Sequence, residues 1–142
     1  GWGTDSFIIL QGGYRVISVE AHPLVAAILE YSTNLYQIKH PLTQWRVIHA
    51  YSDKWLQQAR PMLSAIYLDP FFTSKRSALP QNRMQWLQHL SPQPYQNTLL
   101  KQALTHSCRV VVKRERHAHF LEHVRPHHQI WQKSSRFDCY IP

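Results

Sequence analysis

The pattern of apolar and polar positions along this chain alternates between short strand-like runs and longer stretches with helical spacing. Residues 64–68, Ser-Ala-Ile-Tyr-Leu, form an apolar run that stops at Asp69 and Pro70. Such a run fits a strand of a parallel sheet with both faces covered. Proline ends it, having no N–H for the ladder and holding the preceding residue extended. Upstream, residues 6–10 fit a helix stopped by Gly12 and Gly13, and residues 14–20 alternate like a strand ending on Glu20. A helix with proline in its first turn follows over 23–31, apolar on most of its surface and so expected to be well buried. Residues 34–42 are polar and interrupted by proline, which reads as a loop or a frayed helix end. Residues 46–53 give a third strand and its exit loop, with Asp53 able to cap a helix over 54–59.

Beyond Pro70 the pattern gives a short helix over 84–90, broken by Ser-Pro-Gln-Pro, and another over 95–105. A strand over 109–114 ends on cations, and a last alternating strand covers 136–141. Between these two strands, residues 115–135 are rich in histidine, with His117, His119, His123, His127 and His128. Strands alternating with helices predict an open α/β sheet, whose ligands bind at the carboxyl ends of the strands. Candidate chemistry sits at those ends. The Gly1-Trp2-Gly3-Thr4-Asp5 opening suits a glycine turn that lets backbone approach a ligand, followed by the open N–H groups of a helix. Glu20 at a strand tip suits the ribose hydroxyls of a nucleoside. Asp69 and Pro70, followed by Phe71 and Phe72, put a carboxylate and an aromatic pair at the end of another strand.

Composition narrows the partners. The chain has 142 residues, 44% hydrophobic and 17% charged, as in a globular protein able to bury a substantial core. Lys and Arg number 16 against 8 Asp and Glu, a formal net charge of +8 that favours a polyanionic partner, nucleic acid first. The hydroxyl-rich basic stretch around Lys75, Arg76 and Ser77 suits phosphate contacts. The cations Lys113 and Arg114, at the end of their strand, are further candidates for RNA contact. No apolar run is long enough to span a bilayer, so no membrane partner is expected. Cys108 and Cys139 are too few for a disulfide framework and fit reduced thiols of a cytosolic protein. Neither lies at metal-ligand spacing from the histidines, so no metal is expected.

The tetrapeptide Asp69-Pro70-Phe71-Phe72 resembles the Asp/Asn-Pro-Pro-Phe/Tyr signature of methyltransferases that modify exocyclic amines of nucleobases. Taken with Gly1 to Phe7, Arg15 and Val16 through Glu20 to Ala27, and Ile48 to Ser52, the chain resembles the ribosomal RNA small-subunit methyltransferase J family. The match continues through Lys75 to Leu79, Val110 to Arg114 and Arg136 to Tyr140, in the family's order and close to its spacing. The resemblance implies a class I, Rossmann-like methyltransferase fold: a doubly wound, mostly parallel sheet closed by an antiparallel C-terminal hairpin. It also implies one S-adenosylmethionine-dependent domain over 1–142, entered after its first strand. Strands 16–19 and 66–68 are then each expected to show one unpaired edge.

By the same resemblance the chain methylates the exocyclic N2 of a guanosine in small-subunit ribosomal RNA. Gly3, Thr4, Asp5, Glu20, Ala21, Tyr51, Ser52 and Asp69 would contact the cofactor. Asp69 and the Pro70 carbonyl would receive the target amine, and Phe72 would stack on the base. Tyr51 stands where the family usually carries a small hydroxyl residue. The alternatives are a non-catalytic RNA-binding remnant of the fold, or an amino-methyltransferase acting on DNA adenine or another RNA base.

Overall fold

A computed structural model describes residues 2–58, 62–70, 98–106 and 108–142. The chain divides into two compact units, the first running through Trp55 and the second taking up the described residues from Leu56 onward.

In the first unit, α1 (Thr4–Gln11) leads into β1 (Val16–Glu20), α2 (Pro23–Lys39) and β2 (Trp45–His49). β1 and β2 are parallel, with Val16 opposite Trp45 and Glu20 opposite His49. Leu10, Val16, Leu29 and Trp45 form the buried core, with Ile9, Tyr36 and Val47 packed against it. Ser6 meets Ser18 through their hydroxyls (2.9 Å) while Leu10 packs with Val16. α1 therefore runs antiparallel to β1, and its first turn lies towards the Glu20 end.

α2 departs from the sequence expectation twice. It continues through residues 34–39, where a loop or frayed end was expected. Tertiary contacts outweigh weak local propensity here. Tyr36 packs edge-on against Phe7 with ring centroids 5.3 Å apart, the Gln37 side chain accepts the Trp45 N–H, and Ser32 and Thr33 bond back to Ile28 and Leu29 carbonyls. The helix stops just before Pro41. It is also not buried all round: Val25, Ala26, Leu29 and Thr33 face the core, whereas Leu24, Ile28, Tyr31, Leu35 and Ile38 are exposed. A helix lying on one sheet covers only one of its own faces.

α3 (Ser52–Gln58) carries the chain into the second unit, which holds β3 (Ala65–Leu68), α4 (Leu99–Leu104), β4 (Arg109–Glu115), a 3-10 turn (Leu121–His123), β5 (His128–Trp131) and β6 (Ser135–Tyr140). Asp53 lies inside α3 rather than capping it. The sheet order is β3-β4-β6-β5, with β3 and β4 parallel and the β5–β6 hairpin antiparallel to its neighbours. This is the expected mixed α/β sheet of a Rossmann-like fold, closed by an antiparallel hairpin. Among the described residues, β1 has β2 as its ladder partner and β3 has β4, leaving one edge of each strand without a ladder.

β4 alternates cleanly, burying Val110, Val112 and Arg114, and Leu100, Ala103 and Leu121 are buried in the same unit. Glu122, held at φ 50°, accepts the Leu100 and Lys101 N–H groups at the start of α4 (2.7 and 3.0 Å), and those bonds offset the strained backbone. The strand β5 is absent from the sequence expectation, which left 115–135 without strand structure.

On β6, Tyr140 is 2% exposed and donates to the Val124 carbonyl (3.0 Å). Burial, reinforced by the Asp138 carboxylate, pushes its phenol up to about 12. Its folded value lies above the unfolded one of about 10, so this contribution to stability is complete below pH ~10 and is lost as pH rises towards 12. A phenolate absorbance titration should contain a late phase that Tyr140→Phe removes. A late phase that persists unchanged in Tyr140→Phe, or no late phase at all, would contradict this.

Candidate functional site

The first unit gathers three groups of predicted residues at the carboxyl ends of its strands. Gly3 precedes α1 with φ 79°, a backbone that favours glycine, and a Cβ built there would also crowd Leu29 Cδ1 at 2.4 Å. α1 then starts at Thr4 with no side-chain cap on its first turn. Glu20 ends β1, and one of its carboxylate oxygens accepts the His22 N–H (2.9 Å), which holds the side chain at the strand tip. The Ala50 N–H donates to the Glu20 carbonyl (3.0 Å) and His49 Nε2 lies 3.1 Å from the Ala21 carbonyl. Those two contacts bring the exits of β1 and β2 together, Glu20 and Ala21 beside the segment that leads into Tyr51 and Ser52. Tyr51 is 38% exposed, with Lys54 Nζ 5.4 Å from its ring centroid.

In the second unit β3 ends on Leu68, and Asp69 and Pro70 follow at the carboxyl edge. The β3–β4 register runs to Leu68 opposite Val112, so the next pair is Asp69 and Lys113. Lys113 Nζ lies 3.1 Å from Asp69 Oδ2, an ion pair in which both side chains remain partly exposed. Sequence reading marked Lys113 as an RNA contact and missed this pairing. Its partner lies 44 residues away, and only the strand register brings them together. Arg114 is 7% exposed and donates to the His119 carbonyl (2.6 Å), so it points into the unit instead of offering the surface contact expected of it. Phe72, Lys75, Arg76 and Ser77 lie outside the described residues. Burial raises the thiols of Cys108 and Cys139, the latter lowered in part by Arg109, which leaves both as inert core thiols.

Parallel strands joined through helices, with a glycine turn and an acidic strand tip in the first unit and an Asp-Pro pair ending a strand in the second, define a Rossmann-like fold. A family model described as "Putative SAM-dependent methyltransferase" matches residues 1–142, and the chain belongs to that family. It is 33% identical over 150 residues to the ribosomal RNA small subunit methyltransferase J of Hydrogenovibrio crunogenus, covering 99% of this chain and 54% of the relative. Relatives of the same name from Alteromonas mediterranea (36%) and Shewanella amazonensis (34%) are covered over 57% and 60% of their lengths. The chain thus spans little more than half the length of these curated relatives. Among solved structures, a SAM-dependent methyltransferase of Neisseria gonorrhoeae superposes with a TM-score of 0.74 at 25% identity, covering 99% of this chain and 61% of that one. A putative methylase of Haemophilus influenzae (TM-score 0.60, 17% identity, 97% and 79% covered) shares the fold.

S-adenosylmethionine (SAM) is the cofactor named by the family description. The first unit's residues fit it: the uncapped start of α1 behind Gly3 suits an anionic amino-acid end, and the carboxylate of Glu20 suits ribose hydroxyls.

Proposed function

We propose that this chain carries out SAM-dependent methylation of small-subunit ribosomal RNA at the exocyclic N2 of a guanosine. One observation carries the reading: Asp69 and Pro70 stand at the carboxyl end of a parallel strand, in a chain one-third identical to relatives named for that RNA. Both units act as parts of one methyltransferase domain, a reading supported by a family match that runs through each of them.

Bound SAM supplies an electrophilic methyl group on a sulfonium. Gly3, Thr4 and Asp5 present backbone to the cofactor, and Glu20 and Ala21 take its ribose. Tyr51 and Ser52 flank the base, with Tyr51 contributing ring face or backbone. Guanine N2 is a weak nucleophile because its lone pair is delocalised into the ring. Asp69 Oδ1 or Oδ2 and the Pro70 carbonyl accept hydrogen bonds from the amine and localise that pair. The same groups hold the amine at attack distance, where placement alone can remove up to ~7–11 kcal/mol of barrier. No strong base is required beforehand, because the proton leaves after the nitrogen becomes cationic. Phe72 stacks on the base, and Lys75, Arg76 and Ser77 contact RNA phosphates.

The test incubates the full chain with methyl-labelled SAM and small ribosomal subunits, naked small-subunit RNA or DNA, followed by digestion to nucleosides. Label in N2-methylguanosine is expected. Label in another ribonucleoside would keep the RNA and reject the N2 assignment, and label in DNA alone would reject both. Glu20→Ala should weaken SAM binding by calorimetry about 10- to 100-fold, as for a lost hydrogen bond to a charged group, and leave RNA affinity unchanged. Equal losses in both would remove Glu20 from the cofactor site.

A further inference from the structure

The end of the β5–β6 hairpin carries an aromatic residue that the reading above does not use. Trp131 closes β5 and is 51% exposed, although it stands opposite the buried Arg136. Its ring is braced from within. The guanidinium carbons of Arg116 and Arg136 each lie 5.6 Å from its centroid, and Arg136 also sits 5.6 Å from the Phe120 ring. Arg136 cannot swing away: Asp138 grips it at 2.9 Å and the Arg116 carbonyl accepts its Nη1 at 2.7 Å. Arg116 is tied in turn to the Gln132 carbonyl at 2.6 Å. A half-exposed indole is thus fixed in orientation before any ligand arrives, which reduces the ordering cost of stacking on it.

The surroundings are cationic. At the end of the hairpin, the partly exposed Arg116 and the exposed Lys133 stand with Trp131 against one exposed acid, Glu115, while Arg136 is paired with Asp138. β5 runs parallel to β4, so Trp131 lies at the same carboxyl edge of the sheet as Asp69, on the face opposite Lys113. Three strand spacings separate the two strands, about 14 Å. That is a few nucleotides along one strand at ~3.4 Å each.

We propose that Trp131, held by Arg116 and Arg136, is a stacking platform for an unpaired base of a single-stranded RNA segment whose phosphates are met by the surrounding cations. Sequence-specific binding of RNA favours such splayed bases on aromatic and guanidinium planes. The proposal rests on the RNA reading given above and adds to it a subsite away from the reacting amine.

The test measures binding of the full chain to a fluorescein-labelled single-stranded RNA decamer across a salt series, with SAM binding as the check on folding. Trp131→Leu, which keeps apolar bulk and removes the π face, should weaken the RNA complex about tenfold, within the range for one stacked base. Its salt slope should stay unchanged, because stacking releases no counterions. Trp131→Tyr should restore most of the affinity, and SAM binding should be unaffected in both. Unchanged RNA affinity in Trp131→Leu would overturn the platform while leaving the RNA reading intact. A loss of self-association in that variant with RNA affinity kept would also overturn it, in favour of a contact between copies. Failure of the unmodified chain to bind the decamer or ribosomal RNA would overturn the RNA reading, and the platform with it.

Discussion

Asp69→Ala in the full chain is expected to lower kcat about 10²- to 10³-fold, the scale seen when one preorganised group facing developing charge is removed. In the proposed reaction the carboxylate would have little to do for the ground state, in which the target amine is neutral. Its hydrogen bonds would strengthen as the nitrogen takes on positive charge, so the loss should fall on kcat and leave RNA and SAM affinities nearly intact. Lys113 gives this prediction a second arm. Its ammonium lies 3.1 Å from the Asp69 carboxylate in a pair about a third to a half exposed. Such pairs are worth ~0–1 kcal/mol, so Lys113→Met should cost no more than about fivefold in kcat. In an Asp69→Ala background it should cost nothing further, since a positioning residue acts through the group it positions. If Lys113 instead meets RNA phosphate, the substitution will make the salt dependence of RNA binding shallower and act equally in both backgrounds. Near-normal turnover by Asp69→Ala would remove the carboxylate from the mechanism.

The strands that end on Asp69 and Glu20 were legible because their signals are local. An apolar run stopped by Asp69-Pro70, and an alternation ending on Glu20, each need only a few consecutive residues. β3 and β1 end where those patterns end. The glycine turn was legible for the same reason, and Gly3 does take a positive φ before α1. What sequence reading lost depends on partners distant in the chain. β5 lies on the sheet edge with both faces partly exposed, so its four residues show no burial period, and its pairing is set by β6. The last turns of α2 are held by Phe7 and Trp45 rather than by propensity. The pairing of Lys113 with Asp69 and the inward turn of Arg114 follow from the β4 register, since neighbouring residues on a strand face opposite sides. Two adjacent cations therefore have different surroundings, one at the carboxyl edge beside Asp69 and one inside the unit.

The inward-facing charges of the second unit set the other large expectation. Arg136 and Asp138 lie two apart on β6 and so share a face. They form a two-pronged pair, Nε to Oδ1 at 2.9 Å and Nη2 to Oδ2 at 3.2 Å, with side chains 3% and 0% exposed. Gln129 adds a hydrogen bond to Oδ1 (2.6 Å), and the Glu115 and Arg116 carbonyls accept from Arg136 Nη1. Each charge is thus satisfied only while the other is present. Asp138→Ala leaves a buried guanidinium without its counter-charge and should cost about 3–5 kcal/mol. That is a large share of the ~5–15 kcal/mol that holds a domain together. Urea unfolding of the full chain should show the midpoint falling with little change in slope. Replacing both residues together, Arg136→Met with Asp138→Leu, should recover most of the loss, because it removes both desolvation costs and keeps the volume apolar. The double variant also withdraws one brace from Trp131, so its RNA affinity should stay below that of the unmodified chain even where its stability returns. A loss below about 1 kcal/mol for Asp138→Ala would show that the pair is not the lock of this sheet, and that Arg136 reaches water when its partner is gone.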